Sequence, residues 1–462
     1  MIYNTIHKLI KSSPEPLKKG LKYIPIKYRL GGSDFGETYE QLKNTEFWSK
    51  ERLKEHQENK LQSLLEHAVE NVPFYSDITL TSDDPRENLQ KFPIIDKKTM
   101  RDNKDKFKAE NISAGSTYQV TTGGTSGTPF RFPLDNSTYG SEWAYIINGW
   151  ERVDYSPGDR IVSFRGISLG SVKNNKYWEY NPIFNSTEMS SFHMTSENLP
   201  YYFQKVQEVE PNFLYGYPSA ISTFAKFMED NGYSLPNVKA VFLASEGINT
   251  FQRVLIQRVL DAHVFSHYGQ SEKVALGVEC EFSDYYHFYP QYGLTEILTS
   301  DNTPAPQGEE GEIVGTGFLN RSMPFIRYRT GDFAVRAAGT CECGREYPRV
   351  KSLTGHKSNK RVVGPDGSLF SINLLYYSIH DDTLSQFYKI QFIQNQPGQL
   401  LVKVVSNDHE KTDERKLTDA IKRKCGEEMK VHVTEVDEVE LTESGKQKLF
   451  IQNIDAEAYG EY

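Results

Sequence analysis

The chain has 462 residues, enough for two or three domains, and 37% of them are hydrophobic, which suffices for an interior core. Its 62 acidic residues outnumber the 53 basic ones, and the formal charge of −9 argues against a nucleic-acid-binding protein. No apolar run approaches the length of a membrane span, and the N-terminus lacks an apolar signal core. Four cysteines do not make a disulfide framework, and we expect a cytoplasmic location.

Residues 1–36 read as a basic N-terminal leader. Six lysines and Arg29 face a single acid, Glu15, within residues 1–30. A basic amphipathic segment can lie on an anionic membrane surface, and it can equally be a solvated leader helix packed on the domain. Apolar residues recur at helical spacing at Ile2, Ile6, Leu9 and Ile10.

A strongly helical pattern follows over residues 37–71 and ends at Val72-Pro73. Beyond it, the sequence concentrates three glycines and five hydroxyl side chains in Thr121–Phe130, between two short predicted strands. Glycine accepts positive φ and hydroxyls donate hydrogen bonds, so this loop can surround a phosphate chain. Composition alone favours an ordinary glycine-rich hairpin. The candidate phosphate ligands are Thr122, Gly123, Gly124, Thr125, Ser126, Gly127 and Thr128.

Helices and strands alternate in the middle of the chain. The pattern predicts helices over 141–152, 199–209 and 250–260, strands over 159–164, 239–244 and 264–266, and a strand that leads through a turn into a helix over 213–219. This β-α-β order implies a parallel sheet, whose ligands bind at the carboxyl ends of the strands. The candidates at these ends are Tyr215 and Tyr217, which can stack on a substrate or belong to the core, and Ser245, Glu246 and Gly247.

Two acidic motifs come next. In Tyr268–Glu272 a tyrosine can stack on adenine, a glycine admits the backbone, and Glu272 can hold Mg²⁺ on the phosphates. In Met323–Asp332 the final aspartate follows a glycine and can accept both hydroxyls of a ribose. Arg327 or Arg329 can meet a phosphate or form a surface ion pair. The members of the first motif are Tyr268, Gly269, Gln270, Ser271 and Glu272.

The cysteines suggest a metal site. A Cys-x-Cys pair binds poorly as its own disulfide but well as two thiolates on one metal, and Gly344 suits a tight turn after it. With one further cysteine and one histidine it completes a closed site of the structural zinc type; reduced, buried thiols are the alternative. The candidate ligands are Cys280, His287, Cys341 and Cys343, whereas Cys425 reads as a core residue.

Residues 360–462 predict a small α/β domain, with strands over 387–394, 399–405 and 430–435 and a charged helix over 410–428. Near its end, Lys446 follows a glycine, a position that by itself indicates only a solvated lysine on a turn.

These motifs, in this order, resemble the adenylate-forming superfamily, in the branch of phenylacetate–CoA ligases and their relatives from capsular-polysaccharide gene clusters. The resemblance rests on the loop 121–130, Tyr268–Glu272, Met323–Asp332 and the terminal Gly-Lys. Two departures stand out: Phe130 replaces the usual loop lysine, and Gly355–Asn359 lacks the Arg and Asp of the usual hinge. Relatives with a similar Cys…His…Cys-x-Cys-Gly spacing hold zinc.

The resemblance implies an α/β fold with a large adenylation domain of parallel and mixed sheets over 37–354, carrying a zinc-knuckle insertion, and a small α+β lid over 355–462. It implies that ATP and a small carboxylic acid give an acyl-adenylate, whose acyl group passes to CoA or to a sugar or amine. Lys446 then contacts carboxylate and phosphate, Glu272 holds Mg²⁺, Arg327 meets a phosphate, and zinc is structural.

Two other classes remain open. One is a non-catalytic, nucleotide-binding paralogue that serves as a scaffold; Phe130 and the altered hinge favour it, whereas Glu272, Asp332 and Lys446 oppose it. The other is a zinc-stabilised binding module without a nucleotide. Stabilisation of the protein by ATP and Mg²⁺ separates the second class from a ligase.

Overall fold

The structure is a computed structural model that describes residues 20–122, 130–167, 169, 176–354, 361–377, 379, 381–384, 386–406 and 414–459. Its contacts divide the chain into two compact units. Unit 1 comprises Met1–Asp159, Tyr180–Ser186 and Phe265–Gly355, and unit 2 comprises Arg160–Glu179, Thr187–Val264 and His356–Tyr462. The domain boundaries at 36 and 354 stay predictions.

The helices follow the predicted order along the chain. They are α1 (Ile26–Arg29), α2 (Ser33–Thr45), α3 (Lys50–Asn71), α4 (Pro85–Leu89), α5 (Lys97–Asp102), α6 (Ser137–Trp150), α7 (Leu199–Val209), α8 (Pro218–Asp230), α9 (Thr250–Leu260), α10 (Ile372–Tyr377), α11 (Asp381–Leu384) and α12 (Glu414–Cys425). The predicted helices over 199–209 and 250–260 are confirmed at both ends.

The strands are also numbered in chain order. They are β1 (Thr117–Thr121), β2 (Arg131–Asp135), β3 (Ile161–Arg165), β4 (Trp178–Asn181), β5 (Ser186–Ser190), β6 (Phe213–Gly216), β7 (Ala240–Ala244), β8 (His263–Gly269), β9 (Leu276–Cys280), β10 (Ser283–Phe288), β11 (Gly293–Leu298), β12 (Glu310–Gly317), β13 (Tyr328–Arg336), β14 (Arg349–Thr354), β15 (Arg361–Val363), β16 (Leu369–Ser371), β17 (Phe387–Gln396), β18 (Gln399–Ser406), β19 (Lys430–Glu435) and β20 (Phe450–Gln452).

The helical pattern predicted over 37–71 is interrupted in the structure. Helix α2 ends at Thr45 and α3 begins at Lys50, because Ser49 adopts an extended conformation and its hydroxyl accepts a bond from the backbone N–H of Arg52. Such an N-cap satisfies one of the unpaired N–H groups of a helix start. The continuous helix was therefore wrong at residues 46–49. The apolar face of α3 is buried at Leu61, Leu64 and Leu65.

Unit 1 combines a helical layer with antiparallel strands. Strands β1 and β2 form a hairpin whose buried face, with α3, supplies the core around Phe130 and Phe132. Antiparallel pairing joins β11, β12, β13, β14, β10, β9 and β8 in that order. This order makes β9, β10 and β14 neighbours, and the cysteine and histidine positions of the predicted metal site lie on or beside them.

Unit 2 contains the parallel strands predicted from the β-α-β order. Strand β6 pairs in parallel with β3 on one side and with β7 on the other. Helices α7, α8 and α9 cover this group with a core that includes Ile221 and Phe224. Because parallel strands end at a common edge, Arg165, Gly216 and Ala244 lie at one edge of the sheet. We call this edge the carboxyl edge.

The C-terminal part of unit 2 is a four-stranded sheet in the order β19-β18-β17-β20. Its core includes Phe392, Leu417 and Ile421, and Cys425 is buried there as predicted. Strand β19 is confirmed over residues 430–435. Both units mix helices and sheets, which confirms the predicted α/β fold with a small α+β C-terminal domain. No helix in the described ranges is both long and apolar enough to cross a membrane.

Candidate active site and metal centre

The base of the predicted phosphate loop is described, although residues 123–129 lie outside the described residues. The backbone N–H of Thr122 donates to the carbonyl of Phe130 at 2.9 Å, and that of Phe130 donates to the Thr122 hydroxyl at 3.1 Å. The Phe130 ring is buried and stacks on Phe132, with 5.3 Å between ring centroids. The residue in place of the usual lysine is therefore part of the core, and Thr122 closes the loop.

Two predicted nucleotide ligands of unit 1 meet directly. The Tyr268 hydroxyl donates to Oδ2 of Asp332 at 3.0 Å, although 64 positions separate them in sequence. Gly331 has a φ of 75°, and the Asp332 N–H donates to the Thr330 hydroxyl at 3.1 Å. Glycine tolerates this positive φ, so the turn at Gly331 can hold the Asp332 carboxylate beside Tyr268.

Glu272 lies close to the same pair. It is 9% exposed, and its Oε1 accepts a bond from the Tyr328 hydroxyl at 2.9 Å. Burial raises the pKa of Glu272 above its ordinary value, and the charge of Asp332 raises it further. A carboxylate oxygen in this position has the chemistry that Mg²⁺ prefers. Within the motif, Gln270 fixes the turn through its carbonyl, which accepts from Lys273 N, while Gly269 is exposed and Ser271 is partly exposed.

Arg327 and Arg329 are both engaged by carboxylates. The Arg327 guanidinium is buried and binds Glu296 through two bonds, Nε to Oε2 at 3.2 Å and Nη2 to Oε1 at 3.1 Å. Arg329 pairs with Glu312. This bidentate pair uses guanidinium N–H groups that would otherwise be available to a phosphate. The catalytic role of Arg327 stays a prediction, and its contacts in unit 1 are those of a structural ion pair.

In unit 2 the carboxyl edge gathers a cation and two tyrosines. The Arg165 guanidinium lies 5.0 Å from the Tyr215 ring centroid and 5.5 Å from that of Tyr217, and it donates to the Tyr215 hydroxyl. Both tyrosines are largely buried. Guanidinium groups are attracted to aromatic faces, so the rings fix the cation at the strand end.

Glu246 follows strand β7 at the same edge. Ser245 before it has a φ of 70°, unusual for a residue with a side chain, while Gly247 after it is exposed. The Glu246 carboxylate accepts from the backbone N–H and the hydroxyl of Ser219, both at 3.0 Å, at the start of α8. The partial positive charge of a helix N-terminus stabilises a carboxylate there. Burial has the opposite effect and raises the pKa of Glu246 above its ordinary value.

The turn that carries Lys446 is held at this edge. The Tyr217 hydroxyl donates to the carbonyl of Ser444 at 3.0 Å, and the Ser191 hydroxyl donates to that of Gly445 at 2.8 Å. The Lys446 Nζ then lies 5.7 Å from the Tyr217 ring centroid. Burial lowers the pKa of Lys446 although the charge of Glu246 opposes the shift. The structure thus brings together four predicted residues, Tyr215, Tyr217, Glu246 and Lys446.

Sequence reasoning missed three residues here. Arg165 supplies a second cation, Ser191 holds the turn, and Gly166 allows the turn to approach, since a Cβ at Gly166 would lie 1.8 Å from the carbonyl oxygen of Ser444. The Arg-Gly pair directly after a buried strand was the available signal, because parallel strands place ligands at that end. Nothing in the sequence near Ser191 indicated its contact.

The four predicted metal ligands converge in unit 1. Their ligand atoms all lie within 4.8 Å of one another. Cys280 Sγ is 3.6 Å from Cys341 Sγ, and Cys343 Sγ is 3.4 Å from His287 Nε2. Ligands on one tetrahedral zinc stand about 3.8 Å apart for two sulfurs and about 3.5 Å for sulfur and nitrogen, given bonds of about 2.3 and 2.0 Å. The residues therefore fit a zinc ion.

The surroundings orient these ligands. His287 Nδ1 is 3.0 Å from the carbonyl of Tyr285, to which it donates, and this leaves Nε2 facing Cys343. Burial lowers the pKa of His287 to about 3, so the ring is neutral and able to ligate at neutral pH. Cys280 accepts a bond from the N–H of Phe282 at 3.4 Å. All four cysteines of the chain are free of disulfides.

Comparisons with known proteins define the class first. Over 90% of this chain and 92% of the other, the fold matches the crystal structure of 2-hydroxyisobutyryl-CoA ligase in the postadenylation state in complex with R3-HIB-AMP, with a TM-score of 0.67 and 17% identity. This likeness confirms the predicted fold. The predicted class, a phenylacetate–CoA ligase-like adenylate-forming ligase, is supported by the relatives described next.

The branch follows from sequence relatives. Protein CapK of Staphylococcus aureus is 25% identical over 87% of this chain and 90% of its own length. The phenylacetate-coenzyme A ligase of Escherichia coli (strain K12) is 24% identical over 77% of this chain and 82% of its own length. The family described as CapK C-terminal domain matches residues 372–453. The resemblance to the CapK and phenylacetate–CoA ligase branch is confirmed.

A first prediction concerns the metal. We expect about one zinc per chain, and we expect Cys341→Ala to lose it and to melt at least about 5 °C lower, because a structural metal contributes to folding. Metal analysis and thermal melting measure both. Cys425→Ala, which removes a buried thiol from unit 2, is the matched control and keeps the zinc. A metal-free parent, or a Cys341→Ala variant as stable as the parent, contradicts the site.

A second prediction separates chemistry from stability at Glu272. Because burial raises the pKa of Glu272 in the folded state, its ionisation lowers the free energy of unfolding. This penalty is complete above the folded-state pKa and is lost as the pH falls from there to the ordinary glutamate value. Glu272→Gln retains an acceptor for Tyr328 and removes the charge. We expect equal or higher stability at pH 7 and adenylate formation slower by roughly 10²–10³. Undiminished adenylate formation by Glu272→Gln would contradict the assignment of Glu272 as a Mg²⁺ ligand.

Proposed function

We propose that the chain is an ATP-dependent ligase that activates a small carboxylic acid and transfers its acyl group. In the first half-reaction a carboxylate oxygen attacks the α-phosphorus of ATP, the bond to the β-phosphate breaks, and pyrophosphate leaves. In the second, the sulfur, nitrogen or oxygen of an acceptor attacks the acyl carbon. AMP leaves with the electrons of the broken C–O bond, and the acceptor releases a proton.

The placement of Lys446 carries the proposal. A lysine on a C-terminal turn lies at the carboxyl edge of parallel strands, fixed by hydrogen bonds to both carbonyls that precede it. Partial burial lowers the pKa of Lys446, which indicates that its ammonium group is partly desolvated. A desolvated cation held in advance stabilises charge that develops on a transferring phosphoryl group far better than a solvated one. This supports a role for Lys446 in adenylate formation.

The residues of unit 1 suit the nucleotide. The hydrogen-bonded pair of Tyr268 and Asp332 offers an aromatic face for adenine and carboxylate oxygens for the ribose hydroxyls. Glu272 would hold Mg²⁺, which neutralises phosphate charge when bound. The loop hydroxyls from Thr125 to Thr128 keep their proposed role in orienting the phosphates.

For the acceptor, CoA has the stronger support. Relatives from several organisms carry the name phenylacetate-coenzyme A ligase. The similarity to Protein CapK and to its C-terminal domain supports the second candidate, an amine or hydroxyl acceptor in capsule or exopolysaccharide biosynthesis. The non-catalytic paralogue remains the alternative to both, and Phe130 in the core is the observation that favours it.

Two finer proposals accompany the function. The zinc ion is structural, because three thiolates and one imidazole leave no open position on a tetrahedral metal. Peripheral membrane association through residues 1–30 draws support from Tyr23 and Tyr28, which are 80% and 65% exposed beside Lys22 and Lys27. Residues 1–19 lie outside the described part of the chain.

The function is tested by ATP–pyrophosphate exchange against aryl acids, amino acids, dicarboxylic acids and uronic acids. Exchange that depends on one acid identifies the donor, and AMP release with CoA, with an amino sugar or with neither then identifies the acceptor. Stabilisation by ATP and Mg²⁺ without exchange for any acid would favour the non-catalytic paralogue.

A third prediction assigns Lys446 to one half-reaction. Lys446→Ala should slow the reaction of acid with ATP by roughly 10²–10³, because it removes charge stabilisation from the phosphoryl transfer. With pre-formed acyl-adenylate the same variant should transfer its acyl group at a near-normal rate. Lys448→Ala, two positions away and paired with Glu440, is the control. Equal losses in both assays would make Lys446 a structural residue.

A fourth prediction concerns Gly166. A Cβ there would lie 1.8 Å from the carbonyl oxygen of Ser444, so Gly166→Ala must displace the turn that carries Lys446. We expect the pattern of Lys446→Ala, a loss of at least about tenfold with acid and ATP and little loss from the adenylate. Gly36→Ala is the matched control, since a Cβ at Gly36 meets nothing within 4 Å. An unimpaired Gly166→Ala enzyme would show that the contact is dispensable.

A further inference from the structure

We infer that Arg165 binds a second anionic group on the acyl donor, so that the substrate is a dicarboxylic acid, a sugar diacid or a similarly charged compact acid. The inference deepens the proposed ligase function and rests on it. The carboxylate to be activated goes to Lys446, and the second anion goes to Arg165, beside Tyr215 and Tyr217.

The cations at the carboxyl edge of unit 2 have no directly contacting acid among the described residues. Arg165 lies near Glu188, and Lys446 lies near Glu246; burial acts to lower the pKa of each cation, and the charge of the neighbouring glutamate acts to raise it. Glu246 is bound to the N–H and hydroxyl of Ser219. Within the described part of the chain, neither cation has a carboxylate oxygen within 4.0 Å, so a ligand can supply that contact.

The hydrogen bonding of Arg165 is equally incomplete. A guanidinium has five N–H groups, and in unit 2 the partners of Arg165 are phenols, chiefly the Tyr215 hydroxyl. No carboxylate of the described residues lies within 4.0 Å of its nitrogens. Arg327 and Arg329 in unit 1, by contrast, are each paired with an acid. Because Arg165 is partly buried and its partners are neutral, its guanidinium keeps N–H groups that can bind a carboxylate in a bidentate manner.

Both cations lie beside the ring of Tyr217, which limits how far apart they can be. The Arg165 Cζ and the Lys446 Nζ each lie within 6 Å of the Tyr217 ring centroid. A short acid with carboxylates at its two ends can reach both. An apolar acyl group would bury the guanidinium against hydrocarbon without a charged partner, which is costly. The edge therefore disfavours arylacetates and fatty acids as donors.

An oxyanion at Arg165 has a second conceivable source, a phosphate of the nucleotide. Tyr215 and Tyr217 favour the acyl donor, because their rings supply the apolar walls that a small acid needs while Lys446 takes the phosphoryl side. The two sources are separable by kinetics. Loss of a phosphate contact raises the KM for ATP with every acid, whereas loss of a donor contact affects only acids that carry the second anion.

The test measures pyrophosphate exchange with matched pairs, succinate against succinamate and glutarate against glutaramate, at varied ATP. Wild type should favour the diacid of each pair. Arg165→Met should raise the KM for the diacid at least about tenfold and change the KM for the monoamide and for ATP by less than about threefold. Arg165→Lys should recover part of the preference, and Tyr215→Phe should weaken it in the same direction. Arg160→Met, a partly exposed arginine at the opposite end of β3, should change nothing.

Each other outcome counts against the inference. Equal changes for diacid and monoamide would make Arg165 a structural residue, and a raised KM for ATP with all acids would place it on a phosphate. Exchange with monoanionic acids alone would overturn the role of Arg165 while the ligase function stands. No exchange with any acid would overturn the ligase function, and the inference with it.

Discussion

The close approach of Gly166 to the Ser444–Gly445 turn is the constraint on which the candidate active site depends. A side chain at residue 166 would occupy the position of a backbone carbonyl, and the hydroxyls of Tyr217 and Ser191 close the contact from either side. The two hydrogen bonds and the absence of a side chain at Gly166 thus fix the backbone position from which the flexible Lys446 side chain extends. In the proposed ligase, pre-organisation of this kind would reduce the entropic cost of placing Lys446 for adenylate formation.

Electrostatics at the carboxyl edge follow from the same packing. Burial lowers the pKa of Lys446 and raises that of Glu246, and the charge of each group partly offsets the shift of the other. The charge of Arg165 also lowers the pKa of Lys446. In the proposed ligase, these two cations would bind the carboxylate and phosphate groups of the ligands.

The predicted metal site is connected to the helical layer of unit 1 by an ion pair. The Cys-x-Cys turn continues into Arg345, whose Nε binds Glu46 at 2.6 Å and whose Nη1 binds Glu281. Glu46 lies between α2 and α3, so the knuckle is connected to the helical layer through a buried ion pair. Metal loss would free the turn and expose this pair, and a partly broken buried pair is strongly destabilising. We therefore expect loss of zinc from the proposed site to lower stability and to leave the chemistry intact.

The sequence by itself determined the local elements and the chemical types of the ligands. Helices over 199–209 and 250–260, the parallel strands and the residues that converge as four potential metal ligands could be predicted, because periodicity and short motifs are local properties. The roles of Glu272, Asp332 and Lys446 rest on the family resemblance and stay predictions. Only the tertiary structure decided which residues meet. It placed Phe130 in the core, satisfied Arg327 with Glu296, divided the long helix at Ser49, and joined Arg165, Gly166 and Ser191 to a turn more than 250 positions away. Such contacts depend on packing between distant segments, and no short sequence pattern records them.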